Sequence, residues 1–131
     1  MTHRNGRWSV LGLVTATLAV LGVGFAAGAR AVQKPKTVVQ VVTLKWAADA
    51  APELRRAALE GMEKVASEFP GARNIWLRTV RVQPRDFMTA FAIEFEDMQS
   101  AERFARQPAY ELWNKTYLPA IEESRSQQVA N

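Results

Sequence analysis

From Val38 to Trp46 the chain carries β-branched and apolar residues on both sides of a two-residue repeat. Val38, Gln40, Val42, Leu44 and Trp46 fall on one face, and Val39, Val41, Thr43 and Lys45 on the other. A run of this kind predicts a strand covered on both sides, not one that turns a polar face to water. The period then changes. Pro52 suits a first helical turn, and Leu54, Ala58, Met62, Val65 and Phe69 recur at helical spacing, so a helix is predicted over 52–68 and is stopped by Pro70 and Gly71.

Alternation returns over Asn74–Val82, with Ile75, Leu77 and Thr79 opposite Trp76, Arg78 and Val80. It returns again over Met88–Glu96 after a turn at Pro84, Arg85 and Asp86, and there Phe91, Ile93 and Phe95 form an aromatic and aliphatic face expected to meet the helices. Asp97 is placed to cap a helix that buries Ala101, Phe104 and Ala105 and runs to Gln107. Pro108 restarts a helix to about residue 118, with Ala109, Leu112, Trp113 and Thr116 or Tyr117 inward. Pro119 ends it before a short strand near Arg125 to Val129. The order β-α-β-β-α-β is the ferredoxin-like α+β arrangement, in which helices cover one sheet face and leave the other bare. A first strand that is apolar on both faces then calls for a second cover. A second subunit seated on a dimer face of Val39, Val41 and Thr43 meets that need.

Ahead of this domain, the 22 residues Trp8–Ala29 carry no charge and are flanked by Arg4, Arg7 and Arg30. At ~1.5 Å per residue such a helix spans about 33 Å, enough for a ~30 Å hydrocarbon core. Ala27, Ala29 and Ala31 also offer cleavage sites of the A-x-A kind. Residues 1–31 are therefore read as a signal peptide or a membrane anchor, 32–37 as a linker and 38–130 as the folded domain. The protein is expected to be exported, periplasmic or extracellular, and held to a membrane only through residues 8–29 if these are not cleaved. Gly24 and Gly28 make a GxxxG pair of the sort that chance supplies in a Gly- and Ala-rich segment.

The formal charge of +4 and pI near 9.9 suggest nucleic-acid binding only until the charge is located. Arg4, Arg7, Arg30, Lys34 and Lys36 face no acids, and the remainder has 12 basic and 13 acidic side chains, a net charge of −1. The phosphate-binding term that dominates nucleic-acid affinity is thus missing from the domain, and no nucleic-acid partner is expected. With no Cys and the single His3 near the N-terminus, disulfides, Cys-ligated zinc, iron–sulfur clusters and thiol nucleophiles are excluded. No metal or cofactor is expected. Glu94, Glu96 and Asp97 read as structural carboxylates, since the first two alternate away from the apolar face and the third is a cap. Arg78 and Arg81, on opposite faces of a strand, make no anion clamp by themselves. Trp46, Trp76 and Trp113 read as core or dimer seam sooner than as a binding surface.

The chain resembles the stress-responsive A/B barrel (Dabb) family of the dimeric α+β barrel superfamily. The likeness runs over about residues 38–128. It rests on Val41-Val42-Thr43-Leu44-Lys45-Trp46, Phe69-Pro70-Gly71, Phe91-Ala92-Ile93-Glu94-Phe95-Glu96-Asp97, Ser100-Ala101-Glu102, Gln107-Pro108-Ala109-Tyr110 and Leu118-Pro119, in that order. The resemblance implies a homodimer whose two sheets face each other as a barrel with the helices outside. It also implies a pocket between sheet and helices, lined here by Gln40, Val42, Leu44, Phe91, Phe104, Tyr110 and Trp113. Catalytic members of the family bring one His from the first strand and another after Pro-Ala. Those positions are Gln40 and Tyr110 in this chain, and Phe104 stands where the enzymes can carry Tyr. An amide does not titrate and an ordinary phenol has a pKa of roughly 10, so the family's His-based chemistry does not carry over. No catalytic residue is assigned. The leading expectation is a module that is structural or binds a small hydrophobic ligand. The alternative is a cofactor-independent enzyme, like a polyketide cyclase or monooxygenase, using Tyr110 and Gln40. A third reading is a membrane-tethered interaction module.

Overall fold

The computed structural model describes residues 31–131, of which Gln33–Asn131 form one compact unit. The stretch Trp8–Ala29, with its signal, anchor and GxxxG readings, lies outside the described residues. Among the described residues no helix is long and apolar enough to cross a membrane. The elements are β1 (Val38–Trp46), α1 (Pro52–Ser67), β2 (Ala72–Trp76), β3 (Thr89–Phe95), α2 (Met98–Arg106), α3 (Pro108–Tyr117), a 3-10 turn at Leu118–Ala120 and β4 (Ile121–Ala130). The strands form one antiparallel sheet in the order β2-β3-β1-β4. This is the ferredoxin-like α+β fold expected from the hydrophobic pattern.

β1 is an inner strand, paired with β3 from Val38↔Phe95 to Leu44↔Thr89 and with β4 along its whole length. Its even-numbered residues face the helices. Val38, Leu44 and Trp46 are buried there beside Phe91, Ile93 and Phe95 of β3. Ala58, Met62 and Ala66 of α1, Ala101 and Phe104 of α2, and Trp113 of α3 close the layer from the other side. Phe69, Phe95 and Phe104 meet edge-on or tilted, with ring centroids 5.0–6.3 Å apart, the offset geometry that aromatic quadrupoles favour.

Several element bounds and facings differ from the sequence expectations. β2 ends at Trp76 instead of continuing to Val82, because the Thr79 side chain takes over the pairing. Its hydroxyl accepts from Ala90 N at 2.7 Å and donates to Ala90 O at 3.0 Å, so β3 is satisfied there without a backbone ladder. β4 runs over ten residues, well beyond Arg125 to Val129, because β1 supplies pairing partners to a strand too polar to show alternation. Leu112 points to solvent, and Ala105 is exposed while Ser100 takes its place inside. α3 turns only Trp113 fully inward, with Tyr110 and Tyr117 half-buried beside it.

At the end of β3 three carboxylates have separate tasks. Asp97 caps α2 by accepting from Ser100 N at 2.7 Å, and that backbone bond holds its carboxyl below the ordinary aspartate range. Glu96 lies 3.7 Å from Arg73 across an exposed pair. Glu94 accepts from the Thr37 hydroxyl at 2.6 Å and from the Asn74 amide at 2.5 Å, which ties the entry to β1 and the edge strand β2 onto β3. Thr37, expected in the linker, is buried by this contact. Glu94 is held below the ordinary glutamate range first by Thr37 and then by Asn74, with the charge of Arg73 assisting and desolvation opposing.

Gly71 is required by a close approach. A Cβ built there would lie 2.7 Å from Phe69 and 2.8 Å from Ser100, while its carbonyl accepts from Glu96 N at 3.0 Å. Gly71→Ala should therefore lower unfolding stability by roughly 1–3 kcal/mol, the range for overpacking a fitted core, read from denaturant melts. A second expectation concerns acid. Because the folded-state pKa of Glu94 is depressed, its contribution is fully present above the ordinary glutamate value of about 4.3 and is lost as pH falls through the lowered value. In carboxyl NMR titrations, Thr37→Val should move the Glu94 midpoint upward. An unchanged midpoint would mean that Thr37 is not the dominant partner.

Candidate functional site

The sheet–helix layer brings together most of the residues expected to line a pocket. Leu44, Phe91, Phe104 and Trp113 are buried members of one cluster, and Val42 and Tyr110 pack against it. Strand register sets the sheet side, with Val42 opposite Phe91 and Gln40 opposite Ile93. On the helix side a run of rings continues from Phe104 to Tyr110 at 5.2 Å, to Trp113 at 6.3 Å with planes 8° apart, and on to Phe91 at 6.4 Å. Trp113 is pinned by donation from Nε1 to the Ala58 carbonyl at 2.7 Å. Gly61, one turn along α1, permits that approach, since a Cβ there would sit 3.2 Å from the indole.

The two polar handles have different surroundings. The Gln40 amide donates to Ser126 Oγ of β4 at 3.1 Å and is thus engaged at the outer strand. Tyr110 lies among the rings, and burial pushes its phenol above the ordinary value, with a side-chain hydrogen bond to Asn114 acting the other way. A phenol held protonated in this manner serves as a hydrogen-bond donor and not as a base near neutral pH. Trp46 donates to Thr89 Oγ1 at 2.7 Å and is buried like Trp113, whereas Trp76 is 51% exposed on the opposite sheet face.

That opposite face has no helix on it. Val39 lies between Glu94 and Val129, Val41 between Ala92 and Gln127, and Thr43 between Ala90 and Arg125, with Trp76 beside Ala92. The loop between β2 and β3 is fastened to one end of the first strand and to β4. Lys45 Nζ lies 2.8 Å from Glu122 and 3.6 Å from Asp86, and the Arg125 guanidinium sits 4.5 Å from the centre of the buried Phe87 ring. Hydrogen bonding and charge from Glu122 raise the Lys45 pKa. Glu122 reaches Lys45 where the register between β1 and β4 shifts at Lys45/Trp46.

Sequence reasoning placed Arg78 and Arg81 on opposite faces of a strand. The structure corrects this. With β2 ended at Trp76, both arginines line one hollow of about 220 Å³, together with Val41, Trp76 and Ala92. The long interval from Leu77 to Met88, with Pro84 inside it, was the only available sign that alternation there did not mean a strand. Among the described residues no group of three or more His, Cys, Asp and Glu is placed to hold a metal ion.

No protein-family model matches the chain, and no curated protein matches it. Solved structures do. A dabb family protein with a ferredoxin-like fold from Mesorhizobium loti aligns at TM-score 0.64 and 14% identity over 72% of this chain and 96% of that one. SnoaB, a cofactor-independent oxygenase from Streptomyces nogalater, aligns at 0.61 and 14% over 73% and 93%. A hydroxynitrile lyase from Passiflora edulis aligns at 0.64 and 15% over 72% and 93%. A protein of unknown function from Thermobifida fusca, described as dimeric and ferredoxin-like, aligns at 0.64 and 10% over 77% and 96%. At these identities the likeness establishes the ferredoxin-like α+β fold, one shared by dimeric proteins and by enzymes of more than one kind.

Proposed function

We propose that the chain is an exported, homodimeric α+β barrel of the stress-responsive A/B barrel type that binds a small hydrophobic ligand between its sheet and its helices. The observation that carries this reading is the uncovered sheet face. Val39, Val41 and Ala92 form an apolar stripe there, and Trp76 and Val129 beside it are 51% and 61% exposed. A second copy of the same face would cover the stripe, which accounts for the two-sided apolar character of β1. Structural neighbours described as dimeric support the same arrangement. For the ligand, the supporting feature is the aromatic layer from Phe104 to Phe91, with Tyr110 as donor and Gln40 as the second polar group. Export is argued from the charge-free Trp8–Ala29 segment and its basic flanks.

A second reading keeps the same dimer and makes it a cofactor-independent enzyme, with Tyr110 donating to a substrate carbonyl and Gln40 orienting it. It is favoured by SnoaB and the hydroxynitrile lyase among the neighbours. Tyr110 would then stay protonated and stabilise the carbonyl oxygen by hydrogen bonding, in keeping with its raised pKa.

Light scattering on residues 32–131 should give a dimer. Val41→Lys should split it into folded monomers, whereas Val42→Lys, on the helix face, should lower the melting temperature instead; a wild-type monomer at all concentrations would sink the dimer. A thermal-shift panel of small hydrophobic acids, ketones and phenols should yield a saturable stabiliser whose affinity falls up to roughly tenfold in Tyr110→Phe, the loss of one hydrogen bond. Turnover of such a hit, abolished in that variant, would move the assignment to the enzyme. Mass spectrometry of the protein from its host decides the tether: a mature N-terminus at Arg30 or Val32 removes it.

A further inference from the structure

The loop between β2 and β3 concentrates positive charge in a domain that is otherwise slightly acidic. Arg78, Arg81 and Arg85 are exposed, and among the described residues none of them makes an ion pair. The one acid of the segment, Asp86, is turned to Lys45 at 3.6 Å. The arginines stand beside apolar surface. A hollow of about 430 Å³ is lined by Arg81 and Arg85 together with Val80, Val82, Phe87 and Met88. The hollow of about 220 Å³ over the sheet shares Thr79, Val80 and Arg81 with it but is also lined by Val41, Trp76 and Ala92, which a second copy would cover. Val80 and Met88 are 91% and 68% exposed, a degree that isolated surface residues tolerate but that here adjoins unneutralised guanidinium groups.

We propose that this loop forms a binding site for a small amphipathic organic anion, an aliphatic or aromatic carboxylate. The apolar body would lie against Val80, Val82 and Met88, and the carboxylate would be met by Arg81 with Arg85. The loop hollow of about 430 Å³ is within the few-hundred-Å³ range of small-molecule sites. Guanidinium groups recognise carboxylates through charge-assisted, bidentate bonds that an isosteric neutral amide cannot reproduce. Charge complementarity selects an acid, and the exposed apolar side chains beside the guanidinium groups select one with an apolar body. The site is separate from the sheet–helix layer of the proposed function, and its lining between Thr79 and Met88 includes none of the stripe residues Val39, Val41 and Ala92 that a second copy would cover.

The test is calorimetric titration of the full chain in phosphatidylcholine nanodiscs, with empty nanodiscs as reference. The probes are 4-phenylbutyrate and the uncharged 4-phenylbutyramide. The carboxylate should bind saturably and at least about tenfold more tightly than the amide. Arg81→Gln combined with Arg85→Gln should bring its affinity down to that of the amide, and Arg56→Gln, on the exposed side of α1, should leave it unchanged. Equal binding of the two probes, or no saturable binding, overturns the proposal. So does loss of binding in Tyr110→Phe with the arginine variant unaffected, which would place the ligand in the sheet–helix layer and support the proposed function alone. Light scattering on the arginine variant covers the remaining outcome: a change of oligomeric state without carboxylate binding would assign the arginines to a subunit seam. Binding to phosphatidylglycerol vesicles with none to the soluble acid would assign them to a membrane surface.

Discussion

Everything in this domain is arranged around an inner strand with no polar face. β1 is hydrogen-bonded on both edges, by β3 and β4, so its backbone makes no demand on solvent, and its side chains alternate between the helix-covered core and a face without a helix. The even-numbered set draws α1, α2 and α3 onto one face and thereby creates the core. The odd-numbered set, Val39, Val41 and Thr43, remains without a helix. A fold with one helical layer can satisfy only half of such a strand, and from that imbalance the argument for a second copy follows. The same strand carries Lys45, whose bonds to Asp86 and Glu122 hold the β2–β3 loop and the start of β4 in place.

The core is fitted through glycine at two points where backbone and side chain come closer than a Cβ permits. Gly71 admits Phe69 and the buried Ser100, and Gly61 admits Trp113. Neither glycine adopts a positive φ, so the requirement is space and not backbone conformation. The consequence reaches the candidate site. Trp113, seated by Gly61 and by its bond to Ala58 O, stacks with Tyr110 and so sets the environment that keeps the phenol protonated. With Gln40 and Tyr110 as its polar groups, the layer offers one amide and one hydroxyl donor. That is chemistry suited to holding a ligand, or to polarising a carbonyl, and not to removing a proton.

Much of this was legible in residue order. Period-two and helical spacing located β1, β3, the helices and part of β2, Asp97 announced the start of α2, and the alternation of Phe91, Ile93 and Phe95 against Glu94 assigned the two sheet faces. These features are local, since they depend on side-chain periodicity and on caps that neighbouring residues supply. Split charge along the chain likewise separated a basic N-terminal segment from a slightly acidic domain.

The tertiary structure decided what depends on distant partners. β2 stops at Trp76 because one hydroxyl, Thr79, does the work of a ladder against Ala90, and nothing in local alternation reports such a substitution. β4 extends to ten residues because β1 templates it, although Glu122, Glu123, Ser124 and Gln127 carry no strand signal of their own. Gln40 turns to Ser126, 86 residues away in sequence, and Arg78 and Arg81 converge on one hollow once the strand that would have separated them is gone. By itself the sequence determined the inner strands, the helices and most of their apolar faces, because those are set by spacing along the chain. Register, strand ends and the company each polar side chain keeps were left to long-range pairing, which no short window of residues contains.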